Sequence, residues 1–415
     1  MKIDTMRKVD YFAGIPLCLL ATLLVRLAGG FSGRISSPPQ RVLFIELSEM
    51  GSAILADPAM RKIRQESSAE LFFLIFAANA PSLRLLHTVP QSNIFTIRDN
   101  SFLNLALDSL RLLFWARKQR IDTVIDLELF SRYSALLTGL SGAGHRIGFH
   151  AFYNEGLYRG NMLTRRVAYN PHQHIAKNFI ALVNAALADR EELPFSKTWI
   201  DDQEIRLARA EVSAEALRAM RDRIRQAYPA YDEQRRRLVL INPNASDMLP
   251  QRRWPPDRFV TVMGRLLAEY PELLILITGA PGEWEEAEAM REQVGHDRCV
   301  NFAGRLSLEE LPALYQLAEV MLTNDSGPGH FSAVTALRTF VIFGPETPHL
   351  YGSLGNSTPI YAGLACSPCV SAANHRKTPC TDNVCLQVIR PEQVLELLRE
   401  ALDTGRPAVQ GGPVA

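Results

Sequence analysis

Between two apolar runs, residues 324–330 read Asn-Asp-Ser-Gly-Pro-Gly-His. An acid, a hydroxyl, a turn-forming glycine and an imidazole so close together suit an anionic ligand that carries hydroxyls, such as a nucleotide sugar. Asp325 and His330 flank the turn, Ser326 adds a hydroxyl, and Gly327 permits a tight backbone. A helix starting near Pro328 would turn free N–H groups toward a phosphate. Helix capping alone explains an Asp or Ser at such a place, but not the whole run between two strands. The elements required to hold it are a strand over 318–323, a small-residue helix from 328, and a second strand over 339–343 that stops at Gly344-Pro345. Strand–loop–helix–strand is the unit of a parallel sheet with covering helices. Its loop lies at the carboxyl edge, where such sheets bind ligands.

Four cysteines, Cys366, Cys369, Cys380 and Cys385, form a second constellation within twenty residues. Their short inner spacings can satisfy a tetrahedral zinc of the closed, structural kind. Two disulfides or four unpaired thiols are the rivals, and His375 is a substitute ligand. A reduced, cytosolic setting disfavours the disulfides. The stretch Asn374-His375-Arg376-Lys377 also reads as an exposed basic hairpin that could meet an acceptor phosphate or lipid headgroups. His172 and His174 are two positions apart rather than three or four, so they read as a solvated helix face and not as a metal pair.

The same strand–loop–helix pattern recurs along the 415 residues. Hydrophobic residues make up 47% and charged residues 21%, enough to bury full cores. With 45 basic against 44 acidic residues, nothing in the overall charge argues for nucleic acid. Residues 11–31 are almost wholly apolar, with one charge, Arg26. A spanning helix needs roughly 20 apolar residues, and Gly14, Pro16 and Arg26 weigh against a span. The segment reads as a monotopic anchor with Arg26 snorkelling to headgroups; a true span is the rival. No small-x-small site follows, which argues against a cleavable secretory signal. The organisation expected is a membrane-associated segment and linker (1–40), a first α/β domain (41–200), a connecting helical segment (201–236), a second α/β domain (237–403) with the cysteines at 366–385, and a flexible tail (404–415). Two such domains create an inter-domain cleft, a usual ligand site.

Six stretches of the second domain carry a family resemblance: Asn-Pro-Asn-Ala-Ser (242–246), Arg-Arg-Trp-Pro (252–255), Thr-Gly-Ala-Pro-Gly-Glu (278–283), Ala-Gly-Arg-x-Ser-Leu-x-Glu-Leu (303–311), Thr-Asn-Asp-Ser-Gly-Pro-Gly-His (323–330) and Phe-Gly-Pro (343–345). In combination they resemble the heptosyltransferase-type glycosyltransferases, glycosyltransferase family 9, from about Arg41 to about Leu398. The resemblance implies two facing Rossmann-like domains (the glycosyltransferase B architecture) and inversion at the anomeric carbon without a metal. It implies a heptose-like sugar moved from a nucleotide donor to a lipid-linked or growing glycan such as lipopolysaccharide, on the cytoplasmic face of the bacterial inner membrane. Carried over by position, it places Ser246 beside the donor phosphates and Arg252 near the leaving diphosphate. Glu283 falls at the ribose or base edge, and Asp325, Ser326, Gly327 and His330 on the sugar and diphosphate. A departing diphosphate without a metal needs cations and N–H donors, which agrees.

The first loop departs from the family. Relatives there commonly read Ser-Ser-Leu-Gly-Asp, the aspartate taken as the base; here the run is Ser48-Glu49-Met50-Gly51-Ser52. Ser52 is a poor base, so Glu49, two residues before Gly51, is the substitute. Glu46 on the strand would serve less well, and Asp57 reads as structural. The expected function is an inverting glycosyltransferase with no catalytic cofactor, seated on the inner membrane surface. The alternatives are a non-catalytic nucleotide-sugar-binding or scaffold protein of envelope glycan assembly, and a sugar-nucleotide epimerase. No G-x-G-x-x-G follows the first strand, which argues against a nicotinamide dehydrogenase.

Overall fold

The computed structural model describes residues 3–27, 38–129, 131–152, 158–246, 249–371 and 376–404. The chain separates into two compact units. One comprises the chain to Ala208 with His349–Tyr351 and Ser371–Lys377; the other comprises Arg209–Pro348, Gly352–Val370 and the chain from Thr378.

In chain order the first unit contains α1 (Ile3–Phe12), α2 (Gly14–Leu27), β1 (Arg41–Ile45), α3 (Met50–Leu55), α4 (Asp57–Ser67), β2 (Glu70–Phe76) and β3 (Ile94–Ile97). It continues with α5 (Phe102–Lys118), β4 (Thr123–Asp126), α6 (Arg132–Leu140), β5 (His145–Phe149), β6 (Arg165–Val167) and α7 (Ile175–Leu187). The six strands form a parallel sheet ordered β3-β2-β1-β4-β5-β6. The central strands are continuous apolar runs because helices cover both faces. Ile45 of β1 pairs in register with Asp126 of β4, so Glu46–Ser48 and Leu127–Glu128 leave the sheet side by side. The edge strand of this sheet is β6. It is only three residues, two of them arginines, and it exists because β5 offers an unpaired edge.

The N-terminal helices are packed rather than detached. Cys18, Ala21 and Val25 of α2 are buried against Ala135 and Met162. Asp10 of α1 accepts from the Tyr133 N–H at 2.9 Å and pairs with Arg132 at 3.3 Å. No single described helix is long and apolar enough to cross a membrane; α1 and α2 pass that test together but are bent by 45°. A core face on α2 was not legible in sequence, because its other face is equally apolar: Leu20, Leu23 and Leu24 are all about half exposed.

The second unit contains α8 (Ala214–Ala227), β7 (Arg237–Asn242), α9 (Pro256–Glu269), β8 (Leu273–Ile277), α10 (Trp284–Val294), β9 (Cys299–Asn301) and α11 (Leu311–Leu317). Then come β10 (Val320–Asn324), α12 (Gly327–Ser332), β11 (Arg338–Phe343), α13 (Pro348–Tyr351), β12 (Ser357–Tyr361), α14 (Val384–Gln387) and α15 (Pro391–Asp403), with α13 shared between the two units. The parallel order is β12-β11-β10-β7-β8-β9. Trp254 is fully buried, edge-on to Phe259 at 5.0 Å, and its indole N–H donates to the Ile389 carbonyl at 3.0 Å. The connecting segment 201–236 is less helical than expected: only α8 and a short turn over Asp202–Ile205 form.

Candidate functional site

Three adjacent strands of the second unit, β7, β10 and β11, end at Asn242, Asn324 and Phe343, so their loops share one edge. Asn324 fastens that edge. Its amide N–H donates to the Pro243 carbonyl at 2.6 Å, and its side-chain oxygen accepts from the Trp254 N–H at 3.1 Å. The segment leading into Trp254 is thereby fixed beside Asp325, and Arg252 Nη1 lies 3.8 Å from Asp325 Oδ2. Both side chains are largely buried, 14% and 4% exposed. Burial pushes the Asp325 carboxyl up to about 6 while Arg252 pulls it down. A second acid, Glu346, is buried just past Pro345. Burial first, and then the charge of Asp325, push it up to about 8, again with Arg252 opposing. The edge thus holds one guanidinium against two carboxyls reluctant to ionise together.

Ser326 is the N-cap residue of α12, and its hydroxyl donates to the Asn324 carbonyl at 3.2 Å. A Cβ on Gly327 would meet the Phe331 ring at 2.9 Å, so the turn excludes a larger residue. His330 is buried within α12. That helix is only six residues long, so its dipole is weak. The strongest positive charge at this edge is therefore Arg252 and not the helix start. Glu283 belongs to a neighbouring brace: its Oε2 accepts from Asn244 Nδ2 at 2.9 Å and from the Ala280 N–H at 2.6 Å. A Cβ on Gly279 would lie 2.8 Å from both of those side chains. Ser246 is exposed at the end of the β7 loop. Arg253, which reads as surface charge, instead donates to the Ala245 carbonyl at 3.1 and 2.8 Å.

In the first unit, Glu49 is the N-cap residue of α3, Gly51 lies in that helix, and Ser52 is buried. The loop expected here is therefore the first turn of a helix, and Gly51 adopts helical backbone there. Ser52 Oγ donates to Glu49 Oε2 at 3.1 Å, and Glu49 Oε1 pairs with Arg376. Both oxygens of Glu49 are engaged. Arg376 also stacks over the Tyr351 ring at 4.7 Å, so it is packed where an exposed hairpin was expected; Asn374 and His375 lie outside the described residues. Glu46 is buried, and burial holds its carboxyl well above the ordinary range, with Glu128 adding to the rise. Asp57 is buried in a structural role: it accepts from Arg61 at 2.9 Å and from the Ala208 N–H at 3.1 Å.

Glu128 is the carboxylate that sequence reasoning missed. It is half-buried two residues past β4, and its Oε1 accepts from the Leu47 N–H at 2.9 Å and from Ser48 Oγ at 3.0 Å. Burial raises its pKa, the Leu47 N–H opposes, and the charge of Asp126 raises it further. Its position after an apolar strand was the available signal, as it was for Glu346.

The four clustered cysteines are all free thiols: Cys366 is exposed, Cys369 and Cys380 are intermediate, and Cys385 is buried. Burial, and then Cys369, Cys380 and Cys366, push the Cys385 thiol up. Among the described residues no three His, Cys, Asp or Glu side chains are grouped so as to hold a metal ion. The thiol segment nonetheless braces the edge. The Cys369 N–H donates to the Pro345 carbonyl at 3.0 Å, and Asn383 Nδ2 donates to the Gln251 carbonyl at 3.1 Å.

The family model of glycosyltransferase family 9 (heptosyltransferase) matches residues 111–378, more than half of the chain. Lipooligosaccharide heptosyltransferase 2 of Campylobacter jejuni is 27% identical over 174 residues, covering 40% of this chain and 51% of that protein. The chain spans about half the length of the first curated relatives it matches. Among solved structures, E. coli ADP-heptose lps heptosyltransferase II is similar with a TM-score of 0.67 at 19% identity, over 88% of this chain and 99% of that one. The iron-containing dodecameric glycosyltransferase TibC from enterotoxigenic E. coli H10407 is similar with a TM-score of 0.52 at 11% identity, over 89% of this chain and 77% of that one. These likenesses are of fold, two parallel-sheet α/β domains.

Proposed function

The chain belongs to glycosyltransferase family 9 (heptosyltransferase), and from that premise we propose that it moves a heptose-like sugar from a nucleotide-sugar donor to a lipopolysaccharide or other envelope glycan acceptor. The observation that carries this reading is Arg252, held 3.8 Å from Asp325 at the carboxyl edge of β10. A fixed guanidinium there can absorb the charge of a departing diphosphate without a metal. Asp325, Ser326, Gly327 and His330 line the sugar and diphosphate, Ser246 reaches a phosphate, and Glu283 takes the ribose. The acceptor hydroxyl is taken up at the first unit, along the loop bearing Glu49, Gly51 and Ser52. Its oxygen attacks the anomeric carbon from the face opposite the diphosphate. The new C–O bond forms as the bond to the diphosphate oxygen breaks, the configuration inverts, and the proton passes to a carboxylate. Glu128 is the better base, because Glu49 already spends both oxygens on Ser52 and Arg376. The helices α1 and α2 seat the protein on the cytoplasmic face of the inner membrane.

Incubation with a panel of ADP-, GDP- and UDP-sugars and an acceptor glycan tests the reading. Nucleotide release with one donor, needing no added divalent cation and giving the inverted anomer, is expected. Donor binding with no turnover against any acceptor favours a scaffold role instead.

The two raised carboxyls give this site a pH signature. Folded Asp325 and Glu346 hold protons that the unfolded chain releases at ordinary carboxylate values. The stability they contribute is complete at acid pH and is lost as pH rises through about 6 and about 8. Donor affinity should fall in the same direction, since an ionised Glu346 repels the diphosphate. Calorimetric titration with the donor between pH 6 and 9 should show weakening centred near 8, and Glu346→Gln should flatten it.

By the chemistry of their donors Cys366, Cys369, Cys380 and Cys385 suit a structural zinc, but no three of them are grouped to hold an ion in this structure, so a closed site requires the segment to draw its thiols together. Cys369 braces Pro345, and Asn383 of the same segment braces Gln251, on either side of the Arg252–Glu346 cluster. Metal analysis of the purified chain should return about one equivalent per chain, as a single four-thiolate site requires. Chelation should lower the melting temperature and weaken donor binding. No bound metal and no chelator effect would sink this assignment.

A further inference from the structure

On the proposed membrane placement rests a further step: we propose that α5 is a second membrane-seating element, docking on an anionic phospholipid surface beside α1 and α2. Leu103, Leu107, Leu110 and Phe114 of α5 are 69%, 41%, 56% and 75% exposed. Their spacing of four, three and four residues draws one stripe along the solvent side of the helix. The core side is a separate stripe: Asp108, Leu112 and Ala116 are buried, and Trp115 packs on Phe72 and Phe95 at 5.6 and 5.2 Å. The exposed stripe therefore does no work in the core. A helix apolar on both sides needs a second apolar medium.

Two observations choose the occupant. The first is continuity. Helix α6 holds all three helices: its Tyr133 hydroxyl lies 2.6 Å from Ser109 of α5, its Tyr133 N–H binds Asp10 of α1, and its Ala135 packs on α2. Met6 of α1 and Leu105 of α5 pack against the same core. The exposed residues Tyr11, Phe12, Leu20, Leu24 and Leu27 thus belong to elements that flank the same helix as the α5 stripe. The second is charge. The three helices carry Arg7, Lys8, Arg26, Arg111, Arg117 and Lys118 against Asp4, Asp10 and Asp108. Asp10 pairs with Arg132, and Asp108 pairs with Arg98 and with Arg111 itself, so the cationic excess rests on Arg7, Lys8, Arg26, Arg117 and Lys118. A cationic rim around an apolar stripe complements anionic headgroups and repels its own copy.

Sedimentation of the full chain with phosphatidylglycerol-containing vesicles, and with pure phosphatidylcholine vesicles, tests the proposal. The wild type should partition onto the anionic vesicles. Leu107→Asp with Leu110→Asp should weaken that partition at least tenfold, with solution mass, melting temperature and donor affinity unchanged. Leu107→Ser with Leu110→Ser serves if the acidic pair disturbs folding. A parallel Leu20→Asp/Leu24→Asp variant reports on α2. If it loses vesicle binding while the α5 variants bind as wild type, the role of α5 is overturned and the α1–α2 seat stands. If wild type binds no vesicles, both fall. A change from oligomer to monomer in the α5 variants, with vesicle binding intact, would instead assign the stripe to contact between copies.

Discussion

Replacing Glu128 by Gln should lower turnover by about 10²- to 10⁴-fold, the range for loss of a positioned general base, while donor affinity stays unchanged. Gln keeps the size and the carbonyl oxygen that accepts from the Leu47 N–H and Ser48 Oγ, so the loop should keep its shape. What disappears is the ability to take a proton. In the wild type, kcat/KM should fall on the acid side as pH drops through the raised pKa of Glu128; the variant should lose that limb and keep a low, flat rate. Glu49→Gln is the comparison. It disturbs the contacts to Ser52 and Arg376, so it should cost some stability and activity without erasing the acid limb. If Glu128→Gln is fully active and Glu49→Gln is dead, the proton goes to Glu49.

Arg252→Met should weaken donor binding by roughly 10- to 200-fold, the equivalent of a charge-assisted bond of about 1.5–3 kcal/mol, and should depress turnover further because the diphosphate gains charge as it leaves. Arg252→Lys should recover part of the affinity, because the charge returns without the planar fork. The stability loss should stay below the about 3–5 kcal/mol typical of breaking a buried ion pair. Asp325 can take up a proton once its cation is gone, since burial already holds it at about 6. The alkaline loss of stability should accordingly extend to higher pH in Arg252→Met. Calorimetry and chemical denaturation of the same preparation separate the two effects. Wild-type donor affinity in Arg252→Met would remove this residue from the site.

The alternation of apolar strands with helices was legible because each strand is a short continuous run, and each loop after it breaks into Gly, Asn, Asp or Ser. That pattern alone determined two parallel sheets, and it put Asp325, Ser326 and Gly327 at a carboxyl edge. The resemblance to the family marked Arg252, two residues before Trp254. Sequence could not rank the acids. Glu49 looked like the base because it stands two residues before Gly51 in the chain. Its engagement by Arg376 depends on residues 327 positions apart coming together. Glu128 and Glu346 appear as ordinary acids in the sequence. Only the register of β1 against β4, and the packing around Pro345, make one a neighbour of Ser48 and the other a neighbour of Asp325. Likewise α2 shows one unbroken apolar face in sequence, and tertiary packing alone splits it into a side against α6 and a side left open. Periodicity and turn chemistry are local and survive in one dimension. Burial and charge pairing, which decide how a carboxylate behaves, are set by distant residues and exist only once the chain has folded.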